Sequence, residues 1–247
     1  MTDNCQNCNE AVTNNYCSYC GQKRSVHRYS IKHFIEHDLI HGIWHVDSGI
    51  LFTLKALFKT PGHSVRKFIQ GKRIGYFNFF TLLLLILGVG HYISQYSQIE
   101  LADIMPASSK GIMIEFEAFS KKYPKIILVL TIPFYSFFSY LWFKKSKLNL
   151  TEHFVLNSYK TAAESIIALL FTIITVFYNN ITGLRIIYSL ISLSTFIYSI
   201  WFYYQFFSGY NFSKIGLFLR SVAVLLSYIF FYSLVGVIVG ILSVINK

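Results

Sequence analysis

Residues 76–94 read YFNFFTLLLLILGVGHYIS, with an unbroken apolar run from Leu82 to Leu87. An α-helix needs about 20 apolar residues to cross a hydrocarbon core of ~30 Å. This block is nearly that long and holds no Asp, Glu, Lys or Arg. It follows 75 residues of more polar, cysteine-bearing chain, so it is misplaced for a cleaved leader.

Four further blocks repeat the pattern. They cover residues 126–143, 161–178, 186–207 and 221–245. The second contains Pro133, which a membrane helix tolerates where neighbours re-satisfy the backbone. The whole chain of 247 residues is 54% hydrophobic and 13% charged. Soluble domains carry about 25% charged residues, so this composition argues against a soluble globular enzyme and against disorder. The expected fold is an all-α polytopic membrane protein of about five transmembrane helices, with a small N-terminal zinc ribbon. Its expected divisions are a ribbon at 1–24, amphipathic juxtamembrane helices at 25–75 and a membrane domain at 76–247. No internal repeat stands out.

Lysine and arginine set orientation. With the N-terminus inside, the basic residues of 1–76 lie inside, as do Lys144, Lys145, Lys147, Lys160, Lys214 and Arg220. Only Lys110, Lys121, Lys122, Lys125, Arg185 and Lys247 lie outside. The bias predicts a cytoplasmic N-terminus and an external C-terminus. Inside the blocks, Glu164 and His91 show no charged partner at matching depth.

The cysteines occur as Cys5-x2-Cys8 and Cys17-x2-Cys20-Gly21, with none elsewhere. Paired CxxC turns aim four thiolates at one tetrahedral ion, and four protein ligands leave no open position. The expected cofactor is a structural Zn²⁺ that folds about 20 residues unable to build a core alone. Two disulfides are the alternative, and they need an oxidising compartment. The ribbon has Lys23 and Arg24 against Asp3 and Glu10, which argues against nucleic acid and for a protein partner.

His33, His37, His41 and His45 recur every four residues, the spacing of one helix face. His41, His45, Asp47 and His63 form a candidate second metal site. The competing reading is an interfacial amphipathic helix with a polar histidine stripe. His33 to His37 also reads HxxEH, a five-residue pattern with no supporting constellation. Pro61 and Gly62 predict two short helices, before and after them. Lys55, Lys59, Arg66, Lys67, Lys72 and Arg73 precede the first apolar block. They set topology and are candidate contacts for anionic lipid, at about 1 kcal/mol per basic residue near the leaflet.

The succession CxxC…CxxCGQ, His45-Val-Asp47, Thr53, Pro61-Gly62-His63, Gly71-Lys72-Arg73 and then apolar helices resembles an uncharacterised membrane-protein family of Bacteroidota, a domain of unknown function. The resemblance implies a bacterial inner-membrane location and a cytoplasmic ribbon. It implies no activity. No phosphate loop, nucleophile elbow or kinase set is present. Three functions remain in view: a scaffold or regulatory protein that binds a partner through its ribbon, a lipid or small-solute transporter, and a membrane-bound metalloenzyme.

Overall fold

In a computed structural model, the structure describes residues 4–30, 49–105 and 124–245. Ile50–Lys59 forms α1 and Pro61–Ile69 forms α2. Pro61 stands at the first position of α2, where its missing N–H costs nothing. Phe79–Ser94 is α3, opened by Asn78, whose side chain accepts from the Phe80 and Thr81 N–H groups. Leu101–Ile104 is the single turn α4. Pro124–Trp142 is α5, with Pro133 inside it. Leu150–Phe177 is α6, Ile181–Phe207 is α7 and Lys214–Ile245 is α8. Among the described residues no strand forms; two isolated antiparallel bridges lie in the N-terminal module.

Among the described residues three helices are long and apolar enough to cross a membrane: α6, α7 and Lys214–Leu234 of α8. At 16 residues α3 is shorter than a full crossing requires. The bundle has the outside of a membrane protein. Leu170, Ile173, Leu190, Leu193, Ile197 and Phe230 are all exposed. In water such a surface would carry a large hydrophobic penalty; lipid removes it.

The helix α6 organises the bundle. It packs against α3, α5 and α7, while α2 lies on α7 and α8 lies on α5 and α7. It also starts at Leu150 rather than near residue 161. An Asn149–Glu152 capping box begins it, each side chain taking the other's backbone N–H. Its polar first half is buried by neighbouring helices, not by lipid. Lys160 is therefore not a loop cation: its side chain is 0% exposed in mid-helix. Glu164 does have a partner, since Lys160 Nζ stands 2.6 Å from its Oε1.

His153, Asn157, Lys160 and Glu164 lie at spacings of four, three and four, which is one helix stripe. Asn157 donates to Ser139 Oγ at 2.9 Å and accepts from the Tyr203 hydroxyl at 2.5 Å. Ser139 Oγ meets His153 Nδ1 at 2.8 Å. The polar seam therefore has partners on both α5 and α7, which suits a core where an unpaired polar group costs several kcal/mol.

Candidate metal centre and its anchorage

The four cysteines converge. One ligand atom from each lies within 4.8 Å of all the others, so the group can hold a metal ion. Cys5 Sγ is 3.6 Å from Cys20 Sγ, and Cys8 Sγ is 3.5 Å from Cys17 Sγ. Tetrahedral zinc with Zn–S near 2.3 Å requires sulfurs about 3.8 Å apart. A disulfide requires about 2.05 Å, and all four cysteines are free.

A local repeat of twelve residues builds the cluster, and in the sequence only its two CxxC pairs show it. Cys5 N–H donates to Glu10 O and Asn9 N–H to Cys5 O, both at 2.8 Å. Cys17 N–H donates to Gln22 O at 2.8 Å and Gly21 N–H to Cys17 O at 2.9 Å. The bridges Asn4–Ala11 and Tyr16–Lys23 keep the same offset. Each knuckle needs one left-handed residue: Asn9 at φ 67° and Gly21 at φ 76°. Asn and Gly are the residues that enter that region at least cost.

The Gln22 backbone N–H lowers the Cys20 thiol to about 7. The Glu10 N–H acts in the same sense on Cys8, yet burial and the thiol neighbours push Cys8 up to about 12. Four thiols this close resist complete ionisation until a cation neutralises them.

The module is fastened to the helices at two places. Gln22 Oε1 accepts the Arg73 backbone N–H at 3.1 Å. Gln6 covers Gly71, where a Cβ would stand 2.0 Å from Gln6 Oε1 and φ is +107°. Further along, Arg73 donates to His27 O at 2.8 Å and stacks over the Tyr29 ring at 4.1 Å. Arg28 grips Glu152 with two hydrogen bonds of 2.7 Å and a third goes to Lys147 O. The Glu152 hydrogen bonds, more than burial can offset, hold the Arg28 guanidinium above its ordinary pKa. Asn149 donates to Tyr29 O at 2.9 Å, so the capping residue of α6 also holds the linker.

The six basic residues divide into two groups. Arg66 donates to Gln205 O and Phe206 O at 3.1 and 2.9 Å, on the open carbonyls at the end of α7. With Arg73 it is committed to protein acceptors. Lys55, Lys59, Lys67 and Lys72 are exposed. On α1, Lys55 and Lys59 share the outer surface with exposed Leu51, Phe52 and Phe58, while Thr53 and Leu57 face inward.

Of the second metal candidates, His41, His45 and Asp47 lie outside the described residues. His63 Nδ1 accepts from Arg66 Nη2 at 3.0 Å. Burial, then the Arg66 and Lys67 charges, hold its pKa below the ordinary histidine value. Sequence reasoning missed Arg28, Gln22 and Asn149 as anchoring residues. Only the Asn149-x2-Glu152 capping spacing signalled one of them.

A family model described as a protein of unknown function (DUF3667) matches residues 47–89. The matched stretch takes in α1, α2, the Gly71–Arg73 turn and the first part of α3. No curated protein and no solved structure matches the chain.

Proposed function

We propose that this chain is a membrane-embedded scaffold or regulatory protein whose N-terminal module folds on one structural zinc ion and presents a binding face to a partner protein. The observation that carries this reading is the two-sidedness of the module. One edge is bonded to the turn before α3 through Gln22 and Gln6. Elsewhere on it Tyr16 and Tyr19 are 60% and 78% exposed. Exposed tyrosines on a rigid, metal-held frame give large contact area at low entropic cost. Four thiolates complete the zinc tetrahedron, so the ion supports structure and not hydrolysis.

The charge bias supports a cytoplasmic module and an external C-terminus, and the family resemblance supports a bacterial inner membrane. The apolar and basic outer face of α1, with Lys67 and Lys72, supports contact with anionic lipid. A transport reading draws support from the cavity between α5, α6, α7 and α8 that Glu164 lines. The metalloenzyme reading needs an open site at His41, His45, Asp47 and His63, and Arg66 already occupies His63 Nδ1.

The test is metal content per chain in the full-length, detergent-solubilised protein and in a variant with Cys5, Cys8, Cys17 and Cys20 changed to serine. One zinc, lost in the variant, is expected. A photo-crosslinking residue at Tyr19 should then trap a defined partner in cells, and fail to do so in the serine variant. A second metal retained without the cysteines would favour the enzyme reading instead.

A further inference from the structure

The Lys160–Glu164 pair has no role in the metal module, and it sits beside the cavity of about 180 Å³. Tyr135 of α5, Glu164 of α6, Ser192, Thr195 and Ser199 of α7, and Leu225 of α8 line that space. It is large enough to hold water, which occupies about 30 Å³ per molecule in the liquid.

The carboxylate is used unevenly. Lys160 Nζ and the Ser199 hydroxyl both bond Oε1. Among the described residues no hydrogen bond falls on Oε2, and the Glu164 side chain is 14% exposed. Lys160 has supports besides Glu164. Its Nζ lies 3.8 Å from the centre of the Tyr135 ring and 5.6 Å from that of Tyr203. Cation–π attraction is strongest where water is excluded, so the ammonium stays held when the carboxylate loses its charge.

We propose that Glu164 is an intramembrane proton-binding site served by water in this cavity. A hydronium ion in the cavity gives its proton to Oε2 and leaves as water. Lys160 keeps its three N–H bonds and rests on the two tyrosine rings. Ionisable groups within membrane helices are costly and mark proton or ion paths. Among the described residues Glu164 faces no second carboxylate. From α5 it faces Tyr135, and from α7 Tyr198, Ser199 and Tyr203. From α8 it faces Tyr228, which stacks on Tyr135 at 3.8 Å. The helix α1 turns Lys55 and Lys59 outward, α2 spends Arg66 on the end of α7, and α3 carries His91 exposed near its far end. The proposal shares no residue with the cysteine module and stands or falls apart from it.

The experiment is an infrared difference titration of the full chain in lipid vesicles, acidified stepwise from neutral pH. The expected result is a protonated-carboxyl C=O band that grows on acidification and is lost in Glu164→Gln. Ser199→Ala should shift the pH at which the band appears, because among the described residues Ser199 bonds no other carboxylate. Identical difference spectra for wild type and Glu164→Gln would overturn the proposal. If Glu164→Gln fails to fold, Ser199→Ala decides alone: a band with an unmoved midpoint overturns it.

Discussion

Gly62 shows how one missing atom sets a helix contact. A Cβ there would stand 2.2 Å from the Phe206 backbone N and 2.3 Å from Phe202 O. Backbone cannot swing aside as a flexible side chain does, so α2 and α7 would have to separate. Gly62→Ala should destabilise the protein by about 1–3 kcal/mol, the usual cost of overpacking. A lower thermal midpoint of the solubilised protein reads this directly; an unchanged midpoint would show that α2 can move freely. His63, one residue on, gives a pH dependence. Its folded pKa lies below the ordinary value, about 6.5, so the unfolded chain binds the extra proton on acidification. Its stabilising contribution is complete above that value and is lost as pH falls through the window beneath it. His63→Gln keeps an acceptor for Arg66 without the titration, and its midpoint should vary less with pH below about 6.5 than that of wild type. Equal slopes would remove His63 as the cause.

At the scale of the element, the start of α6 joins local and long-range structure. Asn149 caps the helix and also holds the Tyr29 carbonyl. Asn149→Ala should cost about 1 kcal/mol through the cap alone. Hydrogen exchange should quicken at residues 150–153 and also at 28–30. Exchange confined to the helix would mean that the linker is held by Arg28 alone. The same helix marks the limit of hydropathy as a guide. The five apolar blocks all lie in helices, and among the described residues three of these helices are long and apolar enough to cross a membrane, where a helix satisfies its own backbone. The polar stretch before residue 161 carries no such signal, and α6 runs through it because protein rather than lipid covers that half. Its periodicity was nevertheless present: His153, Asn157, Lys160 and Glu164 recur on one face. The cysteine cluster was legible because thiolate spacing is chemically restrictive. Beyond the two CxxC pairs the twelve-residue repeat was hidden, since backbone hydrogen bonds constrain little besides its cysteines and left-handed residues. Arg66 and Arg73 could not be told from the neighbouring lysines by charge. Their planar forks suit carbonyls, whereas the lysines remain outside.

Across the whole molecule there are two cores of very different self-sufficiency. The large one runs from Tyr29 and Phe68 through Phe79 and Tyr159 to Phe202 and Leu225. The small one consists of Cys5, Val12 and Cys17, with Cys8 and Cys20 packed against it. Among its described residues the buried hydrophobic side chain besides the cysteines is Val12, too little to offset backbone ordering at about 1–2 kcal/mol per residue. On the proposed reading metal ligation supplies the difference, as it does in small metal-folded modules. Removing the ion should therefore melt residues 4–24 and leave the helices standing. Two measurements on the chelator-treated full chain check this together. Trypsin should cut at Lys23 and Arg24 much faster than in the metal-loaded protein, while the far-ultraviolet helical signal stays the same. Helix loss in step with cleavage would mean that the Gln22–Arg73 and Gln6–Gly71 contacts transmit the module's state into the bundle. Continued resistance to trypsin would mean that those contacts, not the metal, hold the module folded.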